Sequence, residues 1–277
     1  MTSRINIEAF DQWERVTLSS PATLNALSDS MTSELLDYFT RLADRPEVRV
    51  VVLQGDGRGF CSGLDLSSEM GRVFAEAGPV EKFAAQARLR NIIIAMRRCP
   101  QPIVAAIHGV AAGGGFSLAL ASDIRVAAEG ARMHAAFIRI GSGGCDLGSS
   151  YLLPRLIGSS AAAELLLTGR SLPADRALRL GLLADVVPSE QLGAAVQQFV
   201  DEMLATGPLA LRMTKEALNY NIDASGLEAA LALEDRQQVL LTQTYNFANG
   251  VNSFRRKEAP VYNAEGDAVY GSRDYTP

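Results

Sequence analysis

The sequence predicts an α/β fold with an appended α-helical region, on three observations. Short β-branched runs alternate with segments of helical apolar spacing over the first two-thirds of the chain. Beyond that point only helical spacing continues. Two glycine-rich stretches each follow directly on a strand-like run, which marks strand-to-loop transitions. With 277 residues, 48% of them hydrophobic, the chain can bury one substantial core, and length alone allows one or two domains.

Strands are expected at 4–9 and 14–19, where apolar residues alternate with polar ones. A helix over 28–43 carries Met31, Leu35, Phe39 and Leu42 on one stripe, with Ser28 as its N-cap. The valine-rich run 48–54 reads as a strand, and the first glycine-rich stretch, G-D-G-R-G-F-C-S-G-L-D-L (residues 55–66), follows it. A helix over 80–98 leads to the strand 102–108. Three glycines, Gly113 to Gly115, then open the helix 114–121. Strands at 123–128 and 183–187 bracket helices 148–156, 159–167 and 173–180. Helices 189–205, 208–220 and 226–246 complete the chain. There is no repeat of 20–50 residues and no low-complexity tract. The tail 264–277, rich in Gly, Asp and Ser, is expected to be loosely held.

Charge and composition narrow the partners. With 26 basic and 31 acidic residues the net charge is −5, which disfavours nucleic acid or an anionic membrane. Cys61, Cys99 and Cys145 form no C-x-x-C pair, and their odd number points to reduced thiols in a cytoplasmic setting. The first ten residues lack the apolar core of a signal peptide, and no window of eighteen apolar residues predicts a membrane helix. Nothing matches a metal-ligand cluster, a P-loop or a dinucleotide fingerprint.

The glycine-rich stretches carry the chemistry. A backbone that turns on glycine into a helix start points unpaired N–H groups outward at the positive end of the helix dipole. Such groups stabilise an anionic oxygen; a helix start with no substrate role is the alternative. Two such loops can place two N–H groups on one oxygen, an oxyanion hole.

With these two loops, P-A-T-L-N-A-L-S (residues 21–28), L-L-T-G-R (166–170), A-L-R-L-G-L-L-A-D-V-V (177–187) and F-A-N-G-V-N-S-F-R-R-K-E-A-P-V-Y (247–262), the chain resembles the crotonase superfamily of enoyl-CoA hydratases and isomerases. The resemblance runs in order from about residue 5 to residue 262. It implies a spiral of ββα units over 1–200, a helical trimerisation region over 201–262 and a tail over 263–277, assembled as a homotrimer or a dimer of trimers. It implies an acyl-CoA thioester as ligand, with coenzyme A as part of the substrate and no separate cofactor. The family's chemistry holds the thioester carbonyl in the oxyanion hole while an enolate forms beside it. The matching donors are the backbone N–H groups of Leu64 and Gly114, with Ser62, Gly63 and Gly113 as neighbouring substrate-binding positions. Ala22, Leu24, Asp65 and Leu66 match positions lining the adenine and pantetheine channel. Phe254 and Lys257 fit an F-x-x-K pattern that reaches the nucleotide of a neighbouring subunit; the other reading of Lys257 is an ordinary solvated charge in the basic cluster 255–257.

The acid/base residues depart from the hydratase pattern. Typical hydratases carry one glutamate two residues after the last glycine of G-G-G and another in a Q-P-E-like stretch. Here Ser117 and Phe137 stand at those places, and neither a hydroxyl nor a phenyl ring acts as a general base near pH 7. Asp146, in G-S-G-G-C-D-L-G-S-S, lies in the loop where dienoyl-CoA isomerases and the 4-chlorobenzoyl-CoA dehalogenase-like branch place an essential aspartate, with a one-residue shift. It is equally placed to N-cap the helix that follows. His134 either faces the acyl pocket or packs as a buried residue. His108 and Glu164 read as structural, and Cys145 lacks an evident partner base. Three functions follow: a hydratase/isomerase-type enzyme using Asp146, which is favoured; a hydrolase, dehalogenase or C–C lyase on the same scaffold; or an acyl-CoA-binding protein without turnover.

Overall fold

The computed structural model describes residues 4–269. Its large sheet has six strands in the order β1-β2-β3-β4-β6-β9: β1 (Ile5–Ala9), β2 (Trp13–Leu18), β3 (Val50–Gly55), β4 (Ile103–Ile107), β6 (Ile124–Ala128) and β9 (Asp185–Val187). Only β1 and β2 pair antiparallel, with Ile5 opposite Leu18; the others are parallel, with Val51 opposite Ile103 and Val104 opposite Ile124. A second sheet joins β5 (Val110–Ala112), β7 (Arg132–His134) and β8 (Leu172–Pro173).

The two sheets make a spiral. Each circuit of the chain lays one strand in the large sheet and the next in the small one, then returns through a helix. Thus β4 and β5 lead into α4 (Gly114–Ala121), and β6 and β7 lead into α5 (Ser149–Ile157). The first circuit is abbreviated: after β3, Cys61 forms a single parallel bridge to Ala111 in place of a strand.

Parallel strands covered on both faces need apolar residues at every position, which is why Val50–Leu53 shows no alternation. Val51, Leu53, Ile103, Ala105 and Ile107 face one cluster with Met31, Leu35 and Phe39 of α1 (Asp29–Arg41) and Leu89, Ile92 and Met96 of α3 (Pro79–Arg98). Val50, Val52, Val104 and Ala106 face the other, under Leu192, Val196 and Val200 of α8 (Leu192–Leu204).

The expected elements are present, and several more appear. Besides β5, β7 and β8, helix α2 (Glu69–Glu76) lies before α3, with Ser68 accepting from the Gly71 N–H at 3.1 Å. Helices α6 (Ser159–Thr168), α7 (Ala174–Arg179) and α9 (Pro208–Asn221) fall where spacing placed them. The single helix expected over 226–246 is instead α10 (Leu227–Leu241) and α11 (Tyr245–Arg256). The break is set by Thr244, whose hydroxyl accepts from the Phe247 N–H and caps α11. The first part of the tail is docked: Asp267 accepts from the Leu209 N–H and from Asn246 Nδ2, at 2.9 and 2.8 Å. Residues 270–277 of that tail lie outside the described residues. No helix among the described residues is long and apolar enough to cross a membrane.

Two buried cations fix the frame around the second glycine loop. Arg125, 7% exposed, donates to the carbonyls of Ala119 and Ser122 at the carboxyl end of α4 and to Leu182. Lys215 of α9, 4% exposed, donates to Met96 and Gln101 carbonyls and pairs with Asp123 at 3.0 Å, joining the C-terminal helices to the core. Neither cation is stranded; each is fully engaged.

Candidate active site

The first loop is built against the second by backbone alone. Cys61 donates to Val110 at 3.0 Å and accepts from Ala112 at 2.9 Å, fastening the loop to β5. Leu27 donates to Gly63 at 2.7 Å and accepts from Asp65 at 3.1 Å. These bonds use the N–H groups of Leu27 and Asp65, so the Leu64 N–H faces the other way. Among the described residues it meets no acceptor. Gly63 holds φ +95°, and a β-carbon there would sit 2.8 Å from the Ala112 carbonyl oxygen and 3.3 Å from the Gly114 nitrogen. Only glycine allows the two loops to approach this closely.

The second loop turns at Gly113, with φ +51°, whose N–H donates to the His134 carbonyl at 3.0 Å. Helix α4 then begins at Gly114, whose N–H belongs to the first turn and has no intrahelical acceptor. Every residue of α4 is buried, and Arg125 holds its far end, so its amino end is fixed in place. Two free N–H groups, Leu64 and Gly114, therefore lie on adjoining loops, the second at the positive end of a helix. A β-carbon on Gly114 would meet Leu27 Cδ1 at 2.8 Å and Leu147 Cδ1 at 3.5 Å. The loop carrying Asp146 thus borders Gly114.

Asp146 does not cap α5. The helix starts at Ser149 with Gly148 at the cap position, and no side chain bonds its free N–H groups. Instead the Asp146 backbone carbonyl accepts from the Ser149 N–H at 2.9 Å, and the Asp146 N–H donates to Ser149 Oγ at 3.0 Å. The carboxylate turns away from the helix. Its Oδ1 accepts the Leu147 N–H at 2.7 Å and Gln86 Nε2, from α3, at 2.5 Å. Burial raises the carboxyl above its usual range, and the bonds from Leu147 and Gln86 offset part of that rise. Leu147 next to it holds φ +44°, an uncommon backbone state for a branched side chain.

The remaining expected residues divide by location. Ser117 is fully buried on α4, and its hydroxyl has no hydrogen-bond partner among the described residues. Phe137 is half-buried with its ring over Gly113, 3.5 Å from where a β-carbon would stand. His134 is half-buried, its Nε2 3.4 Å from Ser171 Oγ; burial first, then Arg139 and Arg132, lower its pKa and favour the neutral ring. His108 bonds the Gly57 carbonyl at 3.1 Å. Glu164 is held between Arg176 and Arg170. Cys61 and Cys99 are buried and Cys145 exposed, all three free.

Around the first loop, Ser62 donates from its N–H to Leu24 and from its hydroxyl to Thr23, each at 2.9 Å. Ala22 is exposed beside them, and Leu66 is 62% exposed at the loop's outer end. Asp65 Oδ1 accepts from Ser67, at 2.9 Å from its N–H and 2.6 Å from its hydroxyl. Phe254, 85% exposed, and Lys257, at the carboxyl end of α11, have no hydrogen bond or ion pair to either glycine loop among the described residues.

Two residues escaped sequence reasoning. Asn25, fully buried, donates to the Asp56 and Gly59 carbonyls, each at 2.8 Å, and ties the 21–28 loop to the first glycine loop. The N-A-L-S pattern contains it without marking it. Gln86 has no local signal at all, since its partner lies 60 residues away.

The family model described as enoyl-CoA hydratase/isomerase matches residues 14–265. A probable enoyl-CoA hydratase, echA12 of Mycobacterium bovis, is 38% identical over 251 residues, covering 90% of this chain and 88% of that protein. The 1,2-epoxyphenylacetyl-CoA isomerase of Escherichia coli is 32% identical, with coverage of 89% and 93%. The crystal structure of a putative enoyl-CoA hydratase from Streptomyces coelicolor A3(2) superposes with a TM-score of 0.90 at 35% identity, covering 94% of each chain.

Proposed function

Because the chain belongs to the enoyl-CoA hydratase/isomerase family, we propose that it binds an acyl-CoA thioester and moves a proton at the carbon beside the thioester carbonyl. The relatives are named as enzymes, which favours turnover over binding alone. The observation that carries the reading is the pair of unsatisfied N–H groups, Leu64 and Gly114, on loops that adjoin at Gly63. A thioester oxygen held by both gains negative charge as an enolate forms, and each donor contributes roughly 3–4 kcal/mol to that transition state.

Asp146 is the acid/base in this reading. Its loop borders Gly114 through Leu147, and its raised pKa suits a group that takes a proton and returns it. Ser117 and Phe137, at the places where hydratases carry glutamates, supply no second carboxylate, so isomerisation by one shuttling acid is favoured over two-glutamate hydration. The 201–262 helices serve as the trimer-forming region, and Phe254 and Lys257 approach the nucleotide of a neighbouring subunit. The exposed Phe254 is consistent with a partner surface there.

The test is turnover of 3-hexenoyl-CoA and crotonyl-CoA. The wild type is expected to isomerise the first and hydrate the second poorly, and Asp146→Asn is expected to lose roughly 10²-fold or more. Activity within a few-fold of wild type in that variant removes Asp146 from the chemistry.

A further inference from the structure

The two oxygens of Asp146 are not equivalent. Oδ1 accepts two hydrogen bonds, from the Leu147 N–H at 2.7 Å and from Gln86 Nε2 at 2.5 Å. Oδ2 receives none among the described residues. Gln86 sits on α3 one position from Ala85 and three from Leu89, both packed in the core, so its amide is carried by a rigid support. Leu147 and Gly148 both hold positive φ, which fixes the other donor.

We infer that Gln86 is a positioning residue for the reaction, pinning Oδ1 of Asp146 so that Oδ2 is the oxygen that exchanges a proton with substrate; this deepens the reading of Asp146 as acid/base and rests on it. A carboxylate with one oxygen tied at two points cannot turn about its Cβ–Cγ bond. Its free lone pairs then keep one direction, the condition for a short proton transfer. The Gln86 amide also favours the ionised carboxylate against the opposing effect of burial. Among the described residues, burial, the Leu147 N–H and Gln86 are the influences on this carboxyl, with no charged side chain joining in. Arg88, two positions along α3, is engaged with Ser33 and Asp29, and the adjoining Cys145 is exposed.

The test compares Gln86→Leu, which keeps an apolar stem on α3 but removes the donor, with wild type. Turnover of 3-hexenoyl-CoA is expected to fall roughly ten-fold in kcat with KM within about two-fold. The acid limb of the pH–kcat/KM profile is expected to shift upward. Carbon-13 NMR titration of the Asp146 carboxyl, which needs no turnover, is expected to show the same upward shift. An unshifted titration in a folded Gln86→Leu protein overturns the proposal even if activity falls. If Gln86→Leu fails to fold, Gln86→Met is read in the same way. Should Asp146→Asn prove active, the acid/base reading and the positioning role both fail, while a shifted titration still assigns the Gln86–Asp146 bond.

Discussion

Gly63 and Gly114 meet with no side chain between them: a β-carbon on the first would lie 3.3 Å from the nitrogen of the second. That approach sets the loop carrying the Leu64 N–H directly against the start of the helix that carries the Gly114 N–H. It also makes Gly63 a position where a single added methyl is costly.

Gly63→Ala puts that methyl 2.8 Å from the Ala112 carbonyl, at φ +95°. The backbone cost and the clash together are expected to lower stability by about 1–3 kcal/mol in denaturant melts. Turnover is expected to fall more than ten-fold, because the loops must separate. A variant with wild-type melting and wild-type activity contradicts the contact.

The raised Asp146 pKa makes a stability prediction with a definite sign. The folded protein holds this proton more tightly than the unfolded chain does. The group's contribution is therefore favourable below the unfolded value, about 3.9, and is lost as pH rises through the folded value. At pH 7 the half-buried carboxylate is a burden, and Asp146→Asn is expected to melt no lower than wild type. That advantage is expected to vanish below about pH 4. A fall of many degrees at pH 7 means the charge itself holds the loop together.

Lys257 is tested through the nucleotide. Lys257→Ala is expected to weaken coenzyme A binding several-fold more than binding of the 3′-dephospho form, measured by calorimetry. Equal loss for both ligands makes Lys257 an ordinary surface charge.

Much of this architecture is legible in the chain, for physical reasons that differ by element. The run Val50–Leu53 must be apolar on both faces, and α1 must bury one stripe, so both announce themselves by pattern. The small sheet does not. Strands such as Val110–Ala112 and Leu172–Pro173 are too short for any period to develop and are defined by the backbones they meet. The break between α10 and α11 depends on one threonine hydroxyl inside an otherwise helical sequence. At the site, the glycine loops are readable because only glycine tolerates Gly63's backbone and contacts. The capping role open to Asp146 is decided by three-dimensional facts: α5 starts at Ser149, two residues later than an aspartate cap requires, and Gln86 approaches from α3.

The most direct measurement is exchange of the α-protons of butanoyl-CoA with D2O, followed by proton NMR, since it needs only the enolate step. Wild type is expected to exchange them. Folded Asp146→Asn is expected to lose roughly 10²-fold, through the missing base. Gly114→Pro, which deletes an N–H, is expected to lose a comparable or larger factor through the missing donor, with folding checked by melting. Undiminished exchange in either folded variant, or none in wild type, contradicts an enolate stabilised by the two glycine loops and served by Asp146.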